Sequence, residues 1–594
     1  MNKVPFLAPD CLDLVLNHLE NDKDTLYSCL FLNHIWYNLA AQHLWKDPFS
    51  ITLSHQKVKL MHIYVASLPH KEICQLNEKG LKIPNLVTPN FKLPYFSYLK
   101  RLIYCKLEEC ALEWLLNEDD PKLMNLDDKF LLKYFEDIKD YDDNVSDDSD
   151  EEYEVNESES HSSEESSDDD NMSVDNLFDD SQNRNRRNPM FALHQQALAM
   201  AIFKQLLANC NKLDVLDMEL FSQNSIVPNI IHIPGCHTTF SDIAKFRFSQ
   251  RGIYGDVERA NIICFWNILG YSSRNISEIE ITIDTEVDET HLSNLINVQE
   301  NLQYLVIRYT RRPLMLKFLH SFLESIPQSL VFLELYNVRL CVDSFKILLG
   351  CKNLEEILLI KCYDPHYLNQ SQDQVLISEG LKLRKIFWSE NNFIHYKYFV
   401  SIIESAHNNL QKFEFIPDTY DQKSVINTNE ILNALAQFCP NITFLAIMNV
   451  HLCFSNLVKL FKSHPWERLT YLTLGSKSNY IIALQELAPH LPTSLHKLRI
   501  ACKVPADDLK VFFEECQVPI EKLSFPDINH LHTDRHIEIV RDYAKEKRTL
   551  KYFGCTYSPN ISLELWEKLK EILQPTQECH SDLFYYPLLR YRKF

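Results

Sequence analysis

Glycine is scarce in this sequence. Only nine glycines occur among 594 residues, and the closest two are Gly252 and Gly255. Walker loops, dinucleotide-binding turns and Gly-x-Ser-x-Gly nucleophile elbows need closely spaced glycines, because these permit positive φ angles and close backbone approach. The sequence therefore excludes glycine-rich phosphate loops, and no other motif in it favours an enzyme. We expect a non-catalytic protein that needs no cofactor and no metal.

Paired cysteines and long apolar runs are also missing. The seventeen cysteines form no C-x-x-C pair, and many stand where an apolar residue would serve, as Cys29, Cys351 and Cys555 do. This usage is typical of reduced thiols, so we expect a cytoplasmic and/or nuclear protein. Asp10 and Asp13 interrupt the apolar N-terminus, and no run of 18 apolar residues occurs. We therefore expect neither a signal peptide nor a membrane span.

Basic residues are missing from one long stretch. Residues 140–180 contain nineteen acidic residues and no Lys or Arg, which leaves a net charge of −2 for the rest of the chain, against −21 for the whole. Dense like charge and low hydrophobicity predict a disordered acidic insertion over residues 136–188. Because the remaining chain is nearly neutral, we expect neither nucleic acid nor a membrane surface as a partner.

An apolar pattern, L-x-x-L-x-L, recurs through the second half of the chain. Its eleven starts are about 27 residues apart on average, within the roughly 20 to 29 residues of leucine-rich repeats. The starts are Ile276, Leu302, Leu330, Leu354, Leu383, Leu410, Ile442, Leu469, Leu495, Ile520 and Leu550. Earlier matches begin at Leu99, Leu213 and Ile243. The alternative interpretation is an irregular α/β domain.

Each repeat combines two periods. The alternation around its leucines predicts a strand, and the segment that follows, such as residues 344–353, has the helical period. One such unit cannot bury its own apolar faces, so neighbours should stack into an α/β solenoid, with parallel strands on the concave face and helices outside. We expect a linker and the first repeat or repeats over residues 50–135, and a solenoid with a C-terminal cap over residues 189–594.

The repeats resemble those of the leucine-rich repeat family, with one departure. That family usually has Asn or Cys three residues after the strand pattern, where the side chain satisfies backbone groups of the loop. Here only Cys362 occupies that position, whereas Asn337 and Asn449 fall one residue short. The strand–helix unit is predicted regardless, and the geometry of the loops is left open.

Three short helices are predicted in the first 49 residues. Pro9 and Asp10 suit the start of a helix, and apolar residues follow at helical spacing in three stripes. The stripes are Leu12, Val15, Leu16 and Leu19; Leu26, Cys29 and Leu32; and Trp36, Leu39 and Ala40. One interpretation is that these helices only cap the open end of the solenoid, as repeat arrays require.

The order of these residues is more specific than their spacing. A Leu and a Pro before an acidic residue, then L-x-x-V-L-x-x-L, T-L-x-x-C-x-x-L-N-x-x-W and a closing L-W, resemble the F-box motif across residues 1–49. An F-box followed by leucine-rich repeats is itself a family architecture. The resemblance implies a substrate receptor of an SCF-type ubiquitin ligase, whose F-box binds a Skp-type adaptor and, through it, cullin and RING subunits. The adaptor contacts that it implies are Leu7, Pro9, Leu12, Val15, Leu16, Leu32 and Trp36.

A protein substrate is expected on the concave strand face. Positions three, five and seven of each repeat should point there, and they are rich in aromatic and basic residues, which dominate binding energy at interfaces. The alternative is that β-propensity alone places aromatic residues there. The predicted contacts are Tyr304, Arg308, Phe332, Tyr336, Phe387, Phe444, Tyr471, Lys497 and Arg499, and the later repeats add Lys385, Lys412, Lys522 and Tyr552.

Two smaller patterns have alternative interpretations. His530, His532, Asp534 and His536 are of the types that bind metals, but Thr533 or Asp534 also makes a natural N-cap at this point, which we favour. In the acidic insertion, four serines have an acidic residue three positions on, a pattern that acidophilic kinases recognise. These candidates for phosphorylation are Ser149, Ser162, Ser166 and Ser167.

The sequence thus favours a non-catalytic receptor subunit of a ubiquitin ligase. The alternative is a ligase-independent leucine-rich-repeat scaffold, in which the N-terminal helices only cap the array and the acidic loop binds basic proteins. The insertion itself is either a regulatory tether or a solvated spacer, because like-charge runs occur in both.

Overall fold

The computed structural model describes residues 8–20, 22–50, 54–81, 83, 95–117, 189–220, 227–250, 256–283, 289–310, 314–315, 328–340, 342–362, 380–391, 396–417, 422–463, 466–476, 481–526, 533–555 and 562–576. The chain divides into two compact units, Met1–Ile276 and Ser277–Phe594. The predicted α/β class is confirmed in both.

The first unit begins with helices. They are α1 (Pro9–His18), α2 (Lys23–Cys29), α3 (His34–Leu44), α4 (Ser54–Ala66), α5 (His70–Glu78) and α6 (Tyr95–Tyr98). Short polar side chains start two of them. The Asp22 carboxylate accepts the backbone N–H of Thr25 at the start of α2, and the Asn33 side chain accepts those of Ile35 and Trp36 at the start of α3. Such caps satisfy N–H groups that have no partner inside the helix.

A small parallel sheet completes the first unit. Its remaining elements are β1 (Arg101–Ile103), α7 (Tyr104–Leu116), α8 (Pro189–Asn209), β2 (Val215–Leu220), α9 (Cys236–Phe240), β3 (Lys245–Gln250) and α10 (Asp256–Ser272). Strand β2 pairs in parallel with β1 and with β3. The three strands begin two residues after the early pattern starts at Leu99, Leu213 and Ile243.

In the second unit, helices follow many of the strands along the described residues. Its elements are β4 (Glu278–Ile283), α11 (Glu289–Asn297), β5 (Tyr304–Tyr309), β6 (Leu314–Met315), β7 (Phe332–Tyr336), β8 (Val338–Arg339), α12 (Val342–Gly350), β9 (Glu356–Ile360), β10 (Lys385–Ser389), α13 (Tyr396–Ala406), β11 (Lys412–Ile416), α14 (Gln422–Phe438), β12 (Phe444–Ile447), α15 (Phe454–Ser463), β13 (Tyr471–Gly475), β14 (Lys497–Ala501), α16 (Ala506–Glu515), β15 (Lys522–Phe525), α17 (Asp534–Lys547), β16 (Tyr552–Cys555), α18 (Leu563–Lys570) and β17 (Gln574–Thr576).

The strands of the second unit form one parallel sheet. Apart from the separate pair β6–β8, each pairs in parallel with the next along the chain, an arrangement consistent with a solenoid. All eleven predicted repeat starts lie two residues before a strand. After β13, two short 3₁₀ turns, Leu484–Glu486 and Ala488–His490, stand where the strand–helix rule predicts a helix.

The core lies between the sheet and the helices. Leucine-pattern side chains face the helices: Trp388 of β10 contacts Phe399 of α13 with ring centroids 3.7 Å apart, and Phe553 of β16 contacts Trp566 of α18 at 6.2 Å. Because successive strand residues point to opposite sides, the residues between them lie on the opposite face of the sheet. That face, called the opposite face below, carries the residues predicted to bind a substrate.

Asparagine side chains support the turns at the strand ends. The Nδ2 group of Asn337 donates to the carbonyl of Tyr309 over 3.0 Å, and that of Asn449 donates to Pro417 over 3.1 Å. Both asparagines have positive φ, a conformation that Asn tolerates better than most residues. Although they stand one residue short of the family position, they satisfy loop carbonyls, as does Cys362, whose thiol donates to Leu335.

Candidate functional site

The N-terminal module, residues 9–50, is held by caps and ion pairs. The His43 Nε2 and Asp13 Oδ1 atoms are 2.9 Å apart and join α3 to α1, and Lys46 and Glu20 are also 2.9 Å apart. The N–H and hydroxyl groups of Thr25 donate to Asp22, which lowers the pKa of that carboxyl. These caps and ion pairs thus hold the helices of the module in place.

The predicted adaptor contacts fall into two groups. Leu12 and Leu16 are 3% and 0% exposed, so they belong to the core of the module and are not available to a partner. By contrast, Pro9 is exposed, Val15 is 44% exposed and Leu32 is 62% exposed. Two further predicted contacts add little here, since Trp36 is half-buried and Leu7 lies outside the described residues.

Two more exposed apolar residues accompany this second group. Leu14 is 63% exposed beside Val15 on α1, and Phe31 is 57% exposed beside Leu32 after α2. Sequence analysis missed Leu14 and Phe31 because it followed the motif and the helical stripes. The module thus exposes two pairs of adjacent large apolar side chains, Leu14 with Val15 and Phe31 with Leu32.

On the opposite face of the second unit, strands β4, β5 and β7 carry a buried ion cluster. The guanidinium of Arg308 lies between the carboxylates of Glu334, 2.6 Å from Nε, and Glu280, which contacts Nη1. All three residues are at most 8% exposed. Burial opposes the charge of Arg308, but the carboxylates of Glu334 and Glu280 outweigh it and raise the pKa of Arg308 above its ordinary value. Arg308 is therefore neutralised within the protein.

An apolar cluster adjoins these charges on the same face. The Tyr304 and Phe332 rings stack with centroids 4.1 Å apart, and Val306, Leu358 and Phe387 pack with them. Tyr304 and Phe387 remain partly exposed. Two further predicted contacts, Tyr336 and Arg499, are 8% and 3% exposed, so little of either side chain is accessible.

The later strands differ on this face. The first residues of β11 to β16 are aligned by the parallel register, and they form a row of cations and aromatic rings that we call the basic–aromatic row: Lys412, Phe444, Tyr471, Lys497, Lys522 and Tyr552. Lys412 and Lys497 are exposed, and Tyr552 is 40% exposed. The Phe444 and Tyr471 rings meet edge to face at 4.8 Å between the two exposed lysines. The basic–aromatic row is thus accessible to solvent, whereas the ion cluster is buried.

The first unit contains its own buried ion cluster. Arg247 of β3 lies 3.4 Å from both Asp217 and Glu219 of β2, and each side chain is at most 8% exposed. Asp217 and Glu219 alternate with Leu216 and Met218, which occupy the leucine positions of the pattern. Compensated charges at these strand positions therefore recur in both units.

Buried thiols account for most of the described cysteines. Burial raises the pKa of Cys351, Cys362 and Cys439 to about 12, and that of Cys453 and Cys502 equally. These thiols stay protonated at neutral pH. Since the thiolate is the nucleophile and the metal ligand, they are packing groups.

The histidine-rich segment forms a helix cap where it is described. The ring of His536 contacts the backbone and hydroxyl of Thr533 and, over 3.0 Å, the carbonyl of Val504, while Asp534 accepts the N–H of Ser562. No group of three metal-binding side chains occurs among the residues described. His530 and His532 lie outside them, as do the acidic insertion and its four candidate serines.

The helices give no sign of a membrane crossing. None of those in the described ranges combines the length and the apolar character that a bilayer span requires.

Comparison with known proteins finds little. No protein-family model and no curated protein matches the chain. Among solved structures, the chain is similar to one from the crystal structure of the Rad7 and Elc1 complex in yeast, at 12% identity, over 57% of this chain and 81% of that chain. The TM-score of 0.34 is too low for this likeness to support an inference.

Proposed function

We propose that this protein is a non-catalytic substrate receptor of an SCF-type ubiquitin ligase. Its N-terminal module would bind a Skp-type adaptor, which links it to cullin and RING subunits, and the opposite face of the second unit would bind the substrate. The observation that carries the proposal is the exposed apolar surface at Val15 and Leu32, two positions of the F-box-like motif.

The buried and exposed residues of the module have separate roles in this proposal. Leu12 and Leu16 hold the helices together, whereas Leu14, Val15, Phe31 and Leu32 remain in water. Full burial of a large apolar side chain contributes about 1.5 to 3 kcal/mol, so covering these four partly exposed side chains would favour adaptor binding. A module that only capped a repeat array would gain nothing from exposing them.

The test is co-purification of the full chain with a co-expressed Skp-type adaptor and cullin. The variant Val15→Asp/Leu32→Asp places two charges in the proposed contact and should abolish capture, because burying unpaired charges is costly. Its matched control is Asn17→Asp/Ser28→Asp, which adds the same charge at exposed polar positions of α1 and α2 and should retain the adaptor.

A different substitution separates folding from binding. Leu12→Asp puts a charge into the core of the module, so it should lose the adaptor by unfolding the module, which circular dichroism detects as lost helix. Val15→Asp/Leu32→Asp should keep its helical signal. If the wild-type chain captures no adaptor, or if both double variants bind equally well, the ligase proposal fails and the scaffold alternative replaces it.

A further inference from the structure

Two lysines of the basic–aromatic row, Lys412 and Lys497, are exposed cations. Neither Lys412 nor Lys497 has an ion-pair partner among the described residues. The acidic groups nearest the row along its strands are paired elsewhere: Glu414 lies 4.0 Å from Lys385, and Glu521 lies 3.1 Å from Lys551. None of the six residues of the row is acidic. Two exposed cations therefore remain available to an anionic partner.

The row also places like charges together. Lys497 lies directly opposite Lys522 in the parallel register of β14 and β15. Like charges at such neighbouring positions on one face of a sheet are unfavourable. An anion bound at Lys497 would lie beside the strand position of a second cation, so the arrangement favours a partner with negative charge at this point.

The spacing of the row defines the partner more closely. Lys412 and Lys497 are three strands apart, which at about 4.8 Å per strand separates their backbones by about 14 Å. An extended peptide rises about 3.3 Å per residue, so four residues span about 13 Å. The edge-to-face pair of Phe444 and Tyr471 lies between the two lysines. A peptide across the strands would place an apolar side chain against these rings.

We propose that the basic–aromatic row binds an extended acidic peptide segment of the substrate. The segment carries two anionic side chains, carboxylate or phosphate, about four residues apart, with an apolar side chain midway between them. Lys412 and Lys497 pair with the anionic groups, and Phe444 and Tyr471 contact the apolar one. A nucleic acid fits less well, because its evenly spaced phosphates match a continuous basic track rather than two cations separated by an apolar pair. The inference deepens the proposed function by naming the chemistry of the substrate.

The experiment measures fluorescence anisotropy of the full chain with labelled peptide probes. The main probe contains Glu-Ala-Phe-Ala-Glu between Gly-Ser flanks, and a second carries phosphoserine in place of both Glu residues. Three controls replace both Glu by Gln, replace Phe by Ser, or place the two Glu next to each other. Saturable binding of the main probe, lost with Gln and weakened by the other two changes, is the expected result. The phosphoserine probe shows which anion binds more tightly.

Protein variants locate the binding. Lys412→Gln/Lys497→Gln should raise the Kd of the main probe about tenfold at low salt, and the difference should shrink as salt screens the charges. The matched control is Lys459→Gln/Lys462→Gln, which removes two exposed lysines of helix α15 and should leave the Kd unchanged. Phe444→Ala should weaken the Phe-containing probe and leave the Phe→Ser probe unaffected.

Three outcomes would overturn the inference. They are no saturable binding of either anionic probe, equal loss from both lysine double variants, and binding of a single-stranded oligonucleotide of equal charge with the same affinity. Adaptor capture by Lys412→Gln/Lys497→Gln is measured in parallel and should match the wild type. Failure of the peptide experiment would thus leave the ligase proposal standing, and failure of adaptor capture would leave the peptide result standing.

Discussion

Charged side chains are buried and paired in one region of the sheet face and exposed in another. On β4–β7, Arg308 is buried between Glu280 and Glu334, so its charge is satisfied inside the protein. On β11–β14, Lys412 and Lys497 stand exposed without an ion-pair partner among the described residues. Charged residues on one face of the sheet therefore serve the fold in one region and remain exposed in the other. The difference lies in the residues on the neighbouring strands.

Breaking the ion cluster should have the largest effect on stability. Glu334→Gln leaves the charge of Arg308 buried with one carboxylate fewer, and we expect it to lower the free energy of unfolding of the full chain by about 3 kcal/mol. Urea denaturation followed by tryptophan fluorescence measures this. Lys412→Gln, a charge loss of the same size at an exposed site, should change the free energy of unfolding by less than about 0.5 kcal/mol.

Replacing all three members of the ion cluster by apolar residues tests the same site without leaving a buried charge. Because a buried ion pair must offset its desolvation, Glu280→Leu/Arg308→Met/Glu334→Leu should recover most of the stability that Glu334→Gln loses. A cost of Glu334→Gln no greater than that of Lys412→Gln would mean that the cluster is not a compensated buried site. The peptide affinity of the basic–aromatic row should be the same in the triple variant and the wild type.

Removing an exposed lysine should raise the free energy of unfolding slightly, whereas breaking the ion cluster should lower it. Lys497→Gln removes one of two like charges at paired positions of β14 and β15, so we expect the free energy of unfolding to rise by about 0.2 to 0.5 kcal/mol. The same substitution should weaken the acidic peptide probe. Paired denaturation curves at low and high salt check this, since the gain should disappear when salt screens the repulsion. A loss of stability in Lys497→Gln would show that this lysine supports the fold.

The smallest expected effect is the dependence of the free energy of unfolding on pH. Burial lowers the pKa of His451, whose Nδ1 lies 3.0 Å from the Ser476 hydroxyl beyond β13. Between the folded and the unfolded pKa of His451, the unfolded chain binds more protons than the folded chain. The contribution of His451 to stability is therefore fully present above pH 6.5 and is lost as the pH falls through the lowered folded pKa. His451→Asn should flatten this dependence. Denaturation midpoints of both proteins from pH 7.5 to 5 measure it, and identical slopes would contradict it.

Much of the fold was predictable because its signal is local. The start at Leu302 placed β5 at Tyr304, and the starts at Leu469 and Leu495 placed β13 and β14 equally well, since strand alternation needs only neighbouring residues. The turn after β13 was not predicted, because its short 3₁₀ segments occupy a stretch that was expected to hold one helix.

The candidate sites were only partly predictable. Sequence analysis grouped Leu12 with Val15 as adaptor contacts, although helix packing buries the first and exposes the second. It also grouped Arg308 with Lys497 as substrate contacts. A one-dimensional motif identifies positions of a helix or strand, and it does not show which of them another element covers.

The sequence by itself determined where the strands begin and how the first helices are capped, because alternation and capping act over two to four residues. Only the tertiary structure decided which charges are neutralised. Glu280 and Glu334 are 28 and 26 residues away from Arg308, and the parallel register brings them into contact with it. Since charge interactions depend on distance and burial, the same kind of residue is structural at Arg308 and available to a partner at Lys497.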